Sequence, residues 1–400
     1  MRPSGPDALV LPWPRMRPRR TVVLADLHLT RHTPSATVEA LERFLTDHAG
    51  ARIVFDGDLF DLSVESPRRR EESLDEALLA HPPVRSALAG HVDRGGELWL
   101  VAGNHDAEIG GSGFRASLLS ALRLSGDASS RVRTTPWFFR EGGLHVEHGH
   151  LYDPDNAPAH PLVVGAPSLG VHFVQEFLAP TGAFSYLNRN DDTPLALLLS
   201  AFRWYGARAP HVVYRYFYAA LTAMLRSGPL YRAGAEARTG DGRMDRFAEE
   251  AGVPRTLADE VLGQRATPTL ESLPRTFSRL YFDRVLATVT MGAGFGGLAL
   301  GRRAFGATVA SLGALLMAVS WAHGHDRYTG TVAERLARAA ARISAASGAS
   351  LVVFGHTHRE ALDGAYANTG SFSFPASSPG RPFLEIEGSG DRPRAVRRYH

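Results

Sequence analysis

The chain has 400 residues, enough for one large domain or two to three smaller ones, and at 44% hydrophobic it can bury a sizeable core. Its 44 basic residues are all arginine, and 41 acids leave a net charge of +3, so charge alone does not imply a nucleic-acid binder. With no cysteine there is no thiolate metal site and no disulfide, and a cytoplasmic setting is expected.

Residues 1–20 read as a leader rich in Pro and Arg, whose one apolar run, Ala8 to Leu11, is too short for a signal-peptide core. From residue 21 to 150 strand and helix patterns alternate. The run Thr-Val-Val-Leu-Ala-Asp26-Leu-His28 reads as a strand ending in two polar residues. A helix follows, with Thr33-Pro34 at its start, Val38, Leu41, Phe44 and Leu45 on its apolar face, and Gly50 beyond its end. Ile-Val-Phe-Asp56-Gly57-Asp58 is a second strand and turn. Residues 71–91 predict another helix, before the strand that leads into Gly103-Asn104-His105-Asp106. Residues 144–147 then lead into His148-Gly149-His150. Between residues 151 and 327 the pattern changes to long helical and apolar stretches without strand alternation. It returns with a helix carrying Val332, Leu336, Ala339, Ala340 and Ile343 on one face, closed by Gly348, and with Leu-Val-Val-Phe-Gly355-His356-Thr357-His358. The tail 365–399 reads as short strands with Gly/Pro turns. One α/β domain is therefore expected from 21–150 and 328–400, interrupted by a mainly helical insertion over 151–327.

Five apolar runs thus end in metal-binding or acidic residues. In an α/β sheet the loops at the carboxyl ends of strands gather in one crevice. Three Asp, one Asn and several His brought together there suit two divalent metals of borderline softness, a pairing used to hydrolyse phosphate esters. Asp58 has two oxygens and can bridge two cations, which an imidazole cannot. Asn104 offers a neutral carbonyl. His105 is left as proton donor to a leaving oxygen, with Asp106 expected to accept its other N–H. Asp56 and Asp61 read as supporting or helix-start residues. The other histidines without a motif read as structural.

In combination these blocks resemble the calcineurin-like metallophosphoesterase superfamily: Asp26-x-His28, Gly57-Asp58, Gly103-Asn104-His105-Asp106, His148-Gly149 and Gly355-His356-x-His358, in that order, over residues 21–156 and 350–372. The resemblance implies two mixed β-sheets packed as a sandwich flanked by helices. It also implies one metal held by Asp26, His28, Asp58 and His358, and a second held by Asp58, Asn104, His148 and His356, with Mn2+ the first choice and Fe or Zn the alternatives. No arginine follows Gly57-Asp58 within the turn, unlike in protein Ser/Thr phosphatases. The stretches Ala25-Asp-Leu-His-Leu29, Gly57-Asp-Leu-Phe60 and Gly355-His-Thr-His-Arg359 look like bacterial UDP-2,3-diacylglucosamine pyrophosphatases. That branch carries Arg in place of His105, Asp in place of His150, and a shorter insertion.

The resemblance implies a phosphorylated small-molecule or lipid substrate. A nuclease or nucleotide phosphodiesterase is the competing enzyme reading, and would call for a basic groove with stacking aromatics. A non-catalytic scaffold would have lost ligands, whereas every position is filled here. Within the insertion, Val285–Leu300 and Ala304–Ala322 are uncharged and separated only by Gly301-Arg302-Arg303. Gly292-x3-Gly296 and Gly297-x3-Gly301 have the spacing of closely packed helices, so residues 285–322 read as a membrane hairpin, the alternative being a buried helical pair inside a soluble cap. Arg275, Arg279, Arg284 and Arg327 at its base predict a catalytic domain on the cytoplasmic face of the membrane.

Overall fold

The computed structural model describes residues 20–65, 70–165, 167–182, 194–231, 233–322, 331–375, 379–388, 390 and 392–400. The leader up to residue 19 lies outside the described residues, as does Arg327. Eleven strands are named in chain order: β1 (Thr21–Leu24), β2 (Arg52–Asp56), β3 (Glu97–Val101), β4 (Val132–Thr135), β5 (Phe138–Glu141), β6 (Leu144–Glu147), β7 (Leu351–Phe354), β8 (Ala361–Asp363), β9 (Tyr366–Asn368), β10 (Pro382–Glu387) and β11 (Arg394–Tyr399). Among the described residues, none between β6 and β7 is in a strand.

Two sheets result. The first runs β11-β10-β1-β2-β3-β4 and the second β5-β6-β7-β9-β8. Strands β1 to β4 are parallel, with Thr21 opposite Arg52 and Arg52 opposite Glu97, so β1, β2 and β3 end at one level. In the second sheet β6 and β7 are parallel and in register, Leu144 opposite Leu351. Alternation along each strand then assigns the cores. Val23, Val54, Val101, Val146, Val353 and Leu384 meet between the sheets. Val22, Leu24, Ile53, Phe55, Leu98 and Leu100 face outward onto helices Ser35–Asp47 and Pro82–Asp93 through Leu41, Phe44, Leu88 and Val92. The other sheet is covered by helix Thr331–Ser347, through Leu336, Ala340 and Ile343, and by helices Met244–Glu250 and Arg255–Leu262. The fold is the expected pair of mixed sheets with helices outside.

The described residues divide into two compact units. One takes residues up to 166, 233–266 and 332 onward, and the other 167–232 and 267–331. Helices Met244–Glu250 and Arg255–Leu262, which fall within 151–327, therefore pack with the sheets: Phe247 stacks on Trp137 and meets Phe138 edge-on. The single helix predicted over 71–91 is two, Arg70–Ala80 and Pro82–Asp93. Pro82 disfavours helical backbone at the residue before it, and His81 sits at φ −125°, ψ 69°.

In the second unit, helices Phe282–Ala299 and Arg303–Ala322 form a hairpin turning at Gly301, which has φ +77°. Their contact differs from the spacing expected. Gly292, Gly296 and Gly301 face open space. The buried positions are Ala287, Gly294 and Gly297 on one helix, and Gly306, Gly313 and Ser320, seven residues apart, on the other. A seven-residue repeat of small residues keeps one face of a helix toward its partner for the whole length of the contact.

Candidate metal centre

All five polar loops leave the same end of the sandwich, and backbone hydrogen bonds lock them together. The amides of Leu27 and His28 both donate to the Asp58 carbonyl at 2.9 Å, and the Gly355 amide donates to the His148 carbonyl at 3.1 Å. The His356 amide donates to Asp26 Oδ2 at 3.0 Å, and the His105 amide to Asp58 Oδ1 at 2.9 Å. Each carboxylate thus keeps one oxygen for the backbone and turns the other into the crevice. Gly103 permits the closest approach, since a Cβ there would lie 2.1 Å from Asp58 Oδ1.

The crevice atoms form overlapping clusters. Asp26 Oδ1 lies 3.8 Å from His28 Nε2 and 3.3 Å from His358 Nε2, and those two nitrogens are 3.4 Å apart. Asp58 Oδ2 lies 3.2 Å from His148 Nε2 and 3.9 Å from His28 Nε2, so it stands between the two groups. With ligand bonds of about 2.0–2.2 Å, neighbouring donors around one cation sit roughly 3–3.5 Å apart, close to the spacing found here. Groups Asp26, His28, His358 and Asp26, Asp58, His148 could each hold a metal ion. Asn104 and His356 flank them. The His356 ring centroid is 5.3 Å from that of His148, and Asn104 Oδ1 is buried.

Two further observations fit cations to this donor set. Asp26 Oδ1, Asn104 Oδ1 and His148 Nε2 are buried without a hydrogen-bond partner, an arrangement that costs several kcal/mol unless something else satisfies it. His148 Nε2 stands 3.2 Å from Asp58 Oδ2, a charge contact when the imidazole is protonated. Second, seven non-glycine residues among those described have positive φ, and five of them are Asp26, His28, Asp58, His356 and His358. Left-handed backbone costs an L-residue about 1 kcal/mol or more, and clusters where surrounding structure imposes it for function.

Electrostatics follow the same geometry. Burial raises the Asp58 carboxyl, but His148, His105 and His28 outweigh it and hold it well below its ordinary value. Burial pulls His148 down, but Asp58 and Asp26 raise it to about 10. His28, held chiefly by burial, falls to about 4. Divalent cations here would take over the positive charge that the imidazolium of His148 otherwise supplies.

The partner of His105 differs from the expected one. Asp106 does not accept from its imidazole. Its Oδ1 takes the amides of Gly103 at 2.8 Å and Asp58 at 3.2 Å, and its Oδ2 takes the amide of Phe60 at 3.1 Å. Asp106 is a loop brace because its side chain turns back into the sheet end. Burial, with Asp58 close by, raises it to about 7. The His105 Nδ1–H instead points to Asp61 Oδ1 at 3.1 Å, and the Ser63 hydroxyl donates to the same oxygen at 2.6 Å. Burial lowers His105, but Asp61 and Asp58 outweigh it and raise it to about 9. The imidazolium is therefore the neutral-pH form, with Nδ1–H held by Asp61 and Nε2–H left to donate.

Asp153 and Asn156 were also not singled out in the sequence. Asp153 Oδ2 lies 3.0 Å from His356 Nε2 and accepts from Asn156 Nδ2 at 2.7 Å, while Asn104 Nδ2 donates to Asn156 Oδ1 at 3.3 Å. The signal available was position: Asp153 follows His148 by five residues, in the same loop.

A sandwich of mixed sheets with an Asp, His and Asn crevice at its strand ends defines a metal-dependent hydrolase. The family model of the calcineurin-like phosphoesterases, whose members use divalent metals to hydrolyse phosphoester bonds, matches residues 19–215 of the chain. The match includes four of the five blocks. The fifth, at Gly355, is outside it and is returned to the crevice by β7. No curated protein matches the chain.

Proposed function

We propose that the protein hydrolyses a phosphoester or pyrophosphate of a lipid-linked substrate, using two divalent cations, Mn2+ by preference, that share Asp58. The observation that carries this reading is the packing of two donor clusters, Asp26-His28-His358 and Asp26-Asp58-His148, against each other, with Asp58 Oδ2 3.2 Å from His148 Nε2 in one and 3.9 Å from His28 Nε2 in the other. Asp26, His28, Asp58 and His358 would hold one cation, and Asp58, Asn104, His148 and His356 the other. Such cations supply charge neutralisation at the phosphoryl oxygens and a nucleophile from water at neutral pH. The chain's own residues do the rest. Asp153 orients His356. Asp61 holds the His105 tautomer, so that Nε2–H faces outward and protonates the departing oxygen. The lipid linkage is supported by the resemblance to UDP-2,3-diacylglucosamine pyrophosphatases and by the apolar surface of the second unit.

The test is a substrate panel of p-nitrophenyl mono- and diesters, nucleotides, single-stranded DNA and UDP-linked lipids. Chelator should abolish hydrolysis, and Mn2+ should restore it. Activity confined to DNA would replace the lipid reading with the nuclease one. Undiminished hydrolysis in the metal-free protein would overturn the cation-dependent centre itself.

A further inference from the structure

Nineteen of the twenty-four large apolar side chains that stand exposed among the described residues belong to the second unit, about one third of the chain. Eleven of them lie on the hairpin Phe282–Ala322. A soluble helical pair buries its large apolar residues and shows its polar ones. This hairpin does the reverse. Its inner face is glycine, alanine and serine, and the backbones touch: a Cβ at Gly294 would lie 2.3 Å from the Ala310 amide nitrogen, and one at Gly313 would lie 2.6 Å from that of Met291. Leu286, Val289, Phe295, Leu312 and Leu315 are large, apolar and 50–63% exposed.

Small residues inside and large apolar ones outside are how helices pair in lipid, where apolar burial gives no drive and close packing supplies it. Polar groups along the hairpin obey the same rule. The Thr290 and Thr308 hydroxyls donate to the carbonyls four residues earlier, at 2.8 and 2.9 Å, rather than facing outward unpaired. Charge is confined to the ends. Arg302 and Arg303 mark the tip. At the base Arg284 lies over the rings of Tyr281 and Trp321, at 4.6 and 5.6 Å, and Arg275 and Arg279 are on the preceding helix. An aromatic and arginine level of this kind matches the headgroup zone of an anionic bilayer. Arg303–Ala322 is long and apolar enough to cross, and 20 residues at 1.5 Å each give about 30 Å, the thickness of the hydrocarbon layer.

We infer that this hairpin is a membrane anchor, with its outer face in the hydrocarbon of an anionic bilayer and both of its ends on one side. The inference stands on the hairpin alone and is independent of the phosphohydrolase reading.

The full chain is purified in detergent and mixed with vesicles of phosphatidylethanolamine and phosphatidylglycerol, and detergent is removed. The wild-type protein floats with the vesicles, resists high-salt and alkaline washes, and is released by detergent. Val289→Arg and Leu312→Arg place a charge mid-helix on the outer face, away from the helix contact. Each lowers the vesicle-bound fraction on the order of a hundredfold, while circular dichroism and hydrolysis of p-nitrophenyl phosphate remain as in the wild type. Three results overturn the anchor: a wild-type protein that stays dispersed without detergent or vesicles, one that high salt alone strips from vesicles, or a soluble dimer that Leu312→Arg makes monomeric. Loss of p-nitrophenyl phosphate hydrolysis in a protein that still floats counts against the catalytic reading only.

Discussion

Two regions of this molecule leave atoms unsatisfied by the protein itself, in opposite senses. In the crevice, buried polar atoms on Asp26, Asn104 and His148 have no partner, and the backbone that carries them is twisted into left-handed conformations. On the hairpin, large apolar side chains stand without cover on regular helices. The first deficit calls for positive charge and the second for an apolar medium. A fold's unfinished business therefore identifies what it is finished by, provided that the sign of the deficit is read. In the crevice the deficit is electrostatic and local, so single atoms decide it. On the hairpin it is spread over many square ångströms, so single residues shift a balance.

The comparison predicts a ranking of effects. Asp58→Asn should be the most damaging change, removing both cations and nearly all hydrolysis. Metal analysis that finds both sites filled in this variant breaks the shared-carboxylate account. His105→Ala should keep its metal and lose about 10²–10⁴-fold in turnover. The loss should shrink for p-nitrophenyl leaving groups, which need no proton, and an equal loss on alkyl esters would remove His105 as the acid. Asp153→Asn should weaken metal binding about 10–100-fold, by freeing the His356 ring, and titration calorimetry would read it. Asp61→Asn is expected to act through pH. Asp61 raises His105, so its loss lowers that pKa, and the imidazolium is depleted at lower pH than before. The alkaline limb of the kcat profile should move toward acid, with the metal content unchanged. An unmoved limb would assign the limb to another group.

The smallest effect on catalysis is expected from the hairpin. Gly313→Val drives a side chain into the Met291 backbone and should splay the two helices. Hydrolysis of a soluble substrate by Gly313→Val should stay within about twofold, because small effects are usual for changes remote from the reacting groups. A large loss of activity in that variant would show that the two regions are coupled.

The strands and the loops that follow them were legible in the sequence because apolar runs stop abruptly at acids, glycines and histidines, and because parallel strands bring their carboxyl ends together. Asp26, His28, Asp58, His148 and His358 converge for that reason. What was not legible depended on where side chains turn after the backbone is placed. Asp61 follows β2 and Asp106 follows β3, and only the loop geometry decides that Asp61 takes His105 while Asp106 takes three amides. Asp153 meets His356 across 203 residues of chain. On the hairpin the glycine spacing nearest to hand, Gly292 to Gly296, pointed at the wrong face, because the seven-residue recurrence of Gly306, Gly313 and Ser320 and the alignment of the two helices set the contact.

Strand β7 lies between β6 and β9 and brings His356 and His358 to the crevice, yet it begins only at residue 351. A ribosome therefore completes the whole insertion, hairpin included, before it makes the last part of the crevice. Until then β6 has an open edge, and two imidazoles are missing. Chains fold in segments as they emerge, and distant strand pairings form late. The order of synthesis thus sets a sequence of events: the hairpin is made before His356 and His358, so the crevice can close only after the insertion is complete.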